Sequence, residues 1–250
     1  MQEIKDRINI FWTGGQDSTF RLMQLLTTTS EIVQPHYVIR HEDSTGFEIE
    51  TMIRIRRAIV RKFPDVRSRF LPTIYTNEDY LPTYKEIDEE INELRKIKKV
   101  NDQYQIMSRY CKKFNIKEID VCYERDIDTL PGDIRLCNYF GKTNVFKSFV
   151  NPLNEITKRE CYQFARVNGW HDILKMTSFC RRPKIKIDAC GVCGPCYDAM
   201  RNGLGFRLSL KSRIKGKILI PFRNYYRNSY SKHDNTWFFR LVKRKLEHRL

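Results

Sequence analysis

No apolar run in these 250 residues approaches the roughly 20 that a membrane-spanning helix needs, which argues against a spanning anchor. The opening Met1-Gln2-Glu3-Ile4-Lys5-Asp6-Arg7 lacks the apolar centre of a secretory signal. No segment repeats and none is of low complexity, so neither a solenoid nor a biased linker is indicated. A soluble protein of the cytoplasm is the expectation. Acids are scarce in one region only. From Gly205 to Leu250 there are thirteen Lys and Arg against two acids, so this stretch carries +11 of the net +16. The charge therefore belongs to a basic appendage rather than to the chain as a whole. The length suffices for one α/β domain that buries its own core, with that appendage added.

Lysine is also missing where a common phosphate loop would need it. Thr13-Gly14-Gly15-Gln16-Asp17-Ser18-Thr19 stands between an apolar run, Ile8 to Trp12, and the helical pattern of Phe20, Leu22, Met23, Leu25 and Leu26. Glycines at such a joint let the backbone turn sharply and bring N–H groups close to a ligand. The first N–H groups of the helix are unpaired and the helix dipole is positive there, so the joint suits an anion. The hydroxyls of Thr13, Ser18 and Thr19 add donors. A GxxxxGK[ST] loop would place a lysine on the β and γ phosphates, and none follows here, so hydrolysis of a γ phosphate is not favoured. A tight strand-to-helix turn alone would explain Gly-Gly, but it would not need Asp-Ser-Thr behind it.

Strand, helix, strand, helix, strand is the order read along the first half. Val33–Ile39 is a second strand despite Pro35 and ends in Arg40-His41. Glu48–Phe63 is a helix with Met52, Ile55, Ile59 and Phe63 on one side, and Val66–Leu71 is a third strand. That pattern predicts a parallel sheet with crossovers. Tyr80–Lys99, rich in charge and poor in apolar anchors, reads as a solvated helix that could serve as a lid. Asn101–Phe114 is amphipathic through Tyr104, Met107, Cys111 and Phe114, and Glu118–Cys122 is a fourth strand. Ligands of open parallel sheets sit beyond the strands' carboxyl ends. Arg40, Asp126, Asp133 and Arg135 lie in such places and are the candidates for a second substrate. Thr157-Lys158-Arg159-Glu160 is a capping box opening a helix that Gly169 closes, with Cys161, Phe164, Ala165 and Val167 turned inward.

Of eight cysteines, Cys111, Cys122, Cys137 and Cys161 stand singly, whereas Cys180, Cys190, Cys193 and Cys196 are crowded. In a cytoplasmic chain crowded cysteines point to metal. Four thiolates at knuckle spacing suit structural zinc, with no position left to activate water. An iron–sulfur cluster or a redox dithiol remains as an alternative.

The S/T-G-G-x-D-S loop resembles that of the ATP-pyrophosphatase superfamily, which cleaves ATP between its α and β phosphates. Together with Tyr37-Val38-Ile39-Arg40-His41, Val121-Cys122-Tyr123-Glu124-Arg125-Asp126, Asn151-Pro152-Leu153 with Lys158, and the four crowded cysteines, the chain is similar to the 7-cyano-7-deazaguanine synthase family. The likeness runs from about residue 8 to residue 203. It implies an adenine-nucleotide α-hydrolase-like (Rossmann-like) α/β domain over 1–176, a four-cysteine zinc segment over 177–204 and a basic extension over 205–250. It further implies ATP, Mg2+ and Zn2+ as cofactors, and an ATP-dependent ligase that adenylates 7-carboxy-7-deazaguanine and brings in ammonia. Thr13 to Thr19 would bind ATP, with Asp17 and Ser18 catalytic and Asp17 helping to hold magnesium. A homodimer is the expected assembly. Lys98-Lys99-Val100-Asn101 and Val121-Cys122-Tyr123 depart from the family's segments, leaving the acceptor open: an amine on a protein or a tRNA is the second reading. A zinc-stabilised nucleic-acid-binding module is the third. Trp237, Phe238, Leu241, Val242 and Leu246, alternating with Arg240, Lys243, Arg244 and Lys245, read as a basic amphipathic helix that packs on the domain or meets nucleic acid, an acidic partner or anionic lipid.

Overall fold

The computed structural model describes residues 7–42, 44–97, 100–123, 136–180, 189–201 and 203–230, the side chains of 136, 137 and 221–230 excepted. The described chain forms two compact units, Met1–Phe179 and Cys180–Leu250. Asp126, Asp133, Arg135 and the amphipathic pattern from Trp237 to Leu246 lie outside the described residues.

The first unit is built on a wholly parallel sheet of five strands. They are β1 (Arg7–Phe11), β2 (Ile32–Ile39), β3 (Ile74–Asn77), β4 (Ile119–Asp120) and β5 (Phe149–Val150), in the order β3-β2-β1-β4-β5. Side chains alternate across a strand, and consecutive residues of β1 and its exit serve two separate cores. Ile10 and Trp12 join Phe20, Leu22, Leu25 and Leu26 of α1 (Gln16–Thr28) and Met52, Ile55 and Ile59 of α2 (Thr45–Lys62). Cys161 and Ala165 of α5 (Lys158–Val167) and Ile173 and Leu174 of α6 (His171–Lys175) complete that layer. Phe11 faces the other way, toward α3 (Lys85–Ile97) and α4 (Asp102–Lys113), whose Ile87, Ile91, Leu94, Tyr104 and Cys111 are buried with it. Covered on both faces, the inner strands carry apolar residues on both sides, as a buried parallel sheet requires.

Several expectations change. Val66–Leu71 is not a strand: Pro64–Ser68 is a 3-10 turn, Phe70 makes one isolated bridge to Val33, and the third strand is Ile74–Asn77. Pro64 fixes the turn, while Ile74-Tyr75-Thr76 supplies the β-branched and aromatic run that strands favour. Pro35 is tolerated inside β2 because it falls between that isolated bridge and the first β3 pair, His36 with Ile74. There the Gln34 amide fills the gap, donating to the carbonyls of Pro35 and Pro72 at 3.1 and 2.7 Å.

The lid-like reading of Tyr80–Lys99 is also overturned. Ile87, Ile91 and Leu94 recur at helical spacing among the charges and are buried, each contributing about 2 kcal/mol. Asp88 receives hydrogen bonds from Arg109 at 2.6 Å and Gln105 at 2.7 Å, and its carboxyl is held below the ordinary range by those partners, which outweigh its desolvation. On α4 the buried face is Tyr104, Ser108 and Cys111, whereas Phe114 is exposed. The capping box stands as read: Thr157 Oγ1 accepts from Glu160 N–H, and Glu160 Oε2 accepts from Thr157 N–H at 2.7 Å. Gly169 ends that region at φ +74°, but Val167, expected inward, is 87% exposed.

Beneath β1 and β2 runs a buried polar chain. His36 Nε2 donates to Asn9 Oδ1 at 3.0 Å, since the Asn9 amide nitrogen is donating to the Glu118 carbonyl, and Tyr110 Oη donates to His36 Nδ1 at 2.7 Å. Burial, then the Arg7 charge, lowers the His36 pKa to about 4. Below pH 6.5 the unfolded chain takes up a proton that folded His36 refuses. Stability is therefore full above pH 6.5 and falls as pH drops toward 4, by up to about 3 kcal/mol. Urea titrations across this window should show a shallower pH slope for His36→Gln than for the wild type. Equal slopes would mean that His36 titrates freely in the folded protein.

Candidate functional site

The sheet order places a topological switch point between β1 and β4: the chain leaves β1 toward β2 on one side, and β4 closes the other. Crevices for ligands open at such points, beyond the strands' carboxyl ends. A cleft of about 200 Å3 lies there, lined by Thr13, Gly15, Gln16, Asp17 and Ser18 after β1, by Arg40 after β2, and by Val121 and Cys122 after β4. It is smaller than the roughly 300–1,000 Å3 of pockets that engulf a drug-sized ligand, and has room for part of such a molecule.

The loop is pinned from all sides. Gly14, at φ +70°, adopts a conformation that side chains rarely take, and a Cβ there would stand 3.2 Å from Met52 and Thr51. Its carbonyl accepts from the Ser178 N–H at 3.0 Å, and Gly15 forms a parallel bridge with Ser178. Trp12 Nε1 donates to Thr19 Oγ1 at 3.0 Å in the buried interior. That bond turns Thr19 away from the cleft, so of the seven loop residues Gly14 and Thr19 shape the turn, and the other five face the opening. The Gln16 amide donates to the Lys158 carbonyl at 3.4 Å.

Ser18, on the first turn of α1, is 8% exposed, and its Oγ has no hydrogen-bond partner among the described residues. Buried polar atoms are almost always paired, so an orphan in a cleft is a position open to a partner from water, an ion or a ligand. Gly15 caps the helix without a side-chain hydrogen bond, and the positive end of the helix dipole at this first turn suits an anion. Asp17 lies on the same turn and would attract a cation that offsets phosphate charge. The donor set thus fits a phosphate group with a divalent ion.

Around this core the structure adds Glu48, which the sequence did not single out, and gives partners to Tyr37, Arg40 and Asn151, which it did. Tyr37 Oη donates to Glu48 Oε2 at 2.9 Å, and both line the cleft. Burial raises the Glu48 carboxyl above its usual range, and burial together with Glu48 raises Tyr37. Arg40 pairs with Glu42 at 2.7 Å and faces Glu78 at 4.0 Å, while its Nε has no hydrogen bond among the described residues. Met107 of α4, core-facing by pattern, forms the apolar wall together with Ile106. Glu48 was one acid in an amphipathic helix, and nothing in periodicity separates it from Glu50. Asn151 holds the chain leaving β4: its side chain accepts from Tyr123 N–H at 3.0 Å and donates to the Tyr123 carbonyl at 2.7 Å. Arg21 on α1 ties to Asp120 at the end of β4 at 2.8 Å, fixing the two sides of the crevice to each other.

The second unit has its own centre. Cys180, Cys190, Cys193 and Cys196 place their sulfurs within 4.8 Å of one another, with contacts of 3.3 Å for Cys193–Cys196 and 3.9 Å for Cys180–Cys193 and Cys190–Cys196. The Cys190 N–H donates to Cys180 Sγ at 3.2 Å, the kind of bond that favours a thiolate. This group can hold a metal. A tetrahedral ion bonded at roughly 2.3 Å sets its sulfurs about 3.8 Å apart, and those here stand from 3.3 Å to at most 4.8 Å apart. Gly191 takes φ +79° inside the knuckle, and α7 (Gly194–Arg201) starts directly behind it. A Cβ on Gly191 would fall 2.1 Å from the Ser212 carbonyl of α8 (Leu210–Tyr230), and one on Gly216 would fall 2.4 Å from the Gly191 carbonyl. The start of the basic extension is therefore packed against the cysteine knuckle within one unit.

No family profile and no curated protein sequence matches this chain. Among solved structures it is similar to the U34-tRNA thiolase NcsA from Methanococcus maripaludis, determined with its 4Fe-4S cluster. The two are 14% identical, the match covers 99% of this chain and 76% of that one, and the TM-score is 0.38. So loose an overlap transfers no chemistry.

The geometry of the knuckle sets an expectation. Purified protein should carry about one metal ion per chain by elemental analysis, and Cys193→Ser should lose it and melt at least several degrees lower. Wild-type protein free of metal with an unchanged melting curve would remove the metal from the site.

Proposed function

We propose that the first unit binds ATP with Mg2+ and activates a carboxylate substrate as its adenylate, releasing diphosphate, for attack by a nitrogen nucleophile. The single observation carrying this reading is the unpartnered Ser18 hydroxyl, 8% exposed, on the first turn of α1 in the switch-point cleft. Bound ATP supplies the adenylyl group and the leaving diphosphate, and magnesium neutralises phosphate charge. The chain supplies placement: the first-turn N–H groups and Ser18 Oγ hold phosphate oxygens, and Asp17 holds the cation. With no lysine after the glycines, nothing is built to single out a γ phosphate.

Catalysis then rests on donors fixed in advance around developing charge, and no side-chain nucleophile is needed. Arg40, at the rim with Glu42 and Glu48, is the residue to receive the substrate carboxylate. Glu48, with Glu42, offers acceptors for the donor edge of a guanine-type ring. Resemblance names the acid as 7-carboxy-7-deazaguanine and the nitrogen as ammonia, with the nitrile as end product. The cysteine centre holds Zn2+ in this reading. All four positions are filled by sulfur, so the ion folds the second unit and takes no part in the reaction.

The test is product analysis with ATP, Mg2+, ammonia and 7-carboxy-7-deazaguanine. AMP and diphosphate are expected, with a product mass for the amide or nitrile. AMP that forms only when a protein or tRNA acceptor is added would move the nitrogen onto a macromolecule while keeping the loop chemistry. ADP with phosphate, or nucleotide retained without turnover, would overturn the proposal. Asp17→Asn should lower diphosphate release roughly 10²-fold or more with the fold unchanged by circular dichroism. Ser18→Ala, which loses one hydrogen bond to charge, should lower it about tenfold.

A further inference from the structure

Helix α8 was not expected from the sequence, and its exposed side has an unusual order. Leu210, Ile214 and Ile218 follow at four-residue intervals and are 65%, 50% and 57% exposed, whereas Ser212, Gly216 and Ile220 on the opposite side are buried. At 3.6 residues per turn, Arg213 and Lys217 flank the aliphatic stripe on one side, and Lys211 and Lys215 flank it on the other. Along the Arg213–Lys217 flank lies a cleft of about 700 Å3 in which Arg201, Tyr197 and Phe206 also take part. No acid occurs in the sequence between Asp198 and Asp234.

Exposed aliphatic residues in a row mark a surface that is covered in use. The charge decides by what. A second copy laid on this face would set two cationic rails against each other, and the chain's own stretch from Trp237 to Leu246 is basic as well. Nucleic acid answers the cations but presents no apolar complement to Leu210, Ile214 and Ile218. We propose that α8 lies on the surface of a bilayer containing anionic phospholipid. The three aliphatic side chains enter the acyl boundary, the four flanking cations meet the headgroups, and the Arg201–Arg213–Lys217 cleft seats a headgroup phosphate. The stripe spans about two turns, and no helix of the described residues is long and apolar enough to cross a membrane, so the helix rests on the bilayer and does not span it. Such a contact does not require that the switch-point cleft bind nucleotide.

The test is sedimentation of the full, metal-loaded chain with vesicles of phosphatidylcholine alone or of phosphatidylcholine with phosphatidylglycerol. Binding to the anionic vesicles only, weakened by added salt, is expected. Ile214→Glu, on an exposed position, should cut it about tenfold or more while metal content and melting temperature stay as in the wild type. Lys211→Gln with Lys215→Gln should weaken it on the anionic vesicles. No preference for phosphatidylglycerol would overturn the proposal. So would Ile214→Glu that binds as the wild type does, which would assign binding to residues beyond α8. So, finally, would binding of single-stranded RNA, indifferent to Ile214→Glu, by a protein that leaves the vesicles free.

Discussion

The first unit depends on a turn held rigid before any ligand arrives. Gly14 can take its positive φ without penalty, but freedom alone would leave the loop mobile. The carbonyl of Gly14 on Ser178, the bridge at Gly15 and the indole of Trp12 on Thr19 remove that freedom again. Preorganisation of this kind matters because donors that are already aimed do not have to be ordered when charge appears. The bond that immobilises the loop also consumes one of its hydroxyls, so Thr19 serves the site by shaping it. The Arg21–Asp120 pair extends the logic across the crevice. Burial pushes the Asp120 carboxyl up and Arg21 pulls it back, so the pair spans from α1 to β4 at little net gain and serves mainly to fix spacing.

The second unit solves a different problem with similar means. Its cysteine knuckle is small, and burying four thiols together without a metal leaves them competing for one charge. Hydrogen bonds with the other three thiols lower Cys190 and raise Cys196, while Cys180 is raised by Cys190 and Cys193 against the contact with Cys196. A metal that takes all four as thiolates ends that competition, and its binding energy becomes folding energy. Gly191 and Gly216 then let α8 approach the knuckle at backbone distance, which no other residue would permit. A metal held by the four cysteines would thereby support α8, and with it the basic surface.

Much of this was legible in the sequence because local chemistry and tertiary role coincide. The glycine turn, the capping box at Thr157 and Glu160, and the four crowded cysteines each carry their signature in a few adjacent residues. The failures have a common cause. Val66–Leu71 has strand-like residues, but Pro64 and the length of the α2 connection move the pairing to Ile74. Ile87, Ile91 and Leu94 were hidden by the charges between them, and Phe114 kept the helical period yet sits past the core at the end of α4. Glu48, Tyr37 and Met107 reach the cleft only because β2, α2 and α4 converge there. No spacing rule along the chain could bring them together.

Cys122 shows how burial constrains the chemistry further. It lies on the cleft just beyond β4, where a reactive thiol would invite a covalent mechanism. Burial raises its pKa well above the ordinary thiol value, and the carboxylates of Asp120 and Asp17 push in the same direction. A cation on Asp17 would cancel one of these lesser contributions and leave the largest, desolvation, in place. At neutral pH the group is therefore a thiol, a poor nucleophile whose bulk narrows the crevice. Under the proposed function Cys122 then offers no covalent route, and the attack on the activated acid falls to a nitrogen from outside the chain.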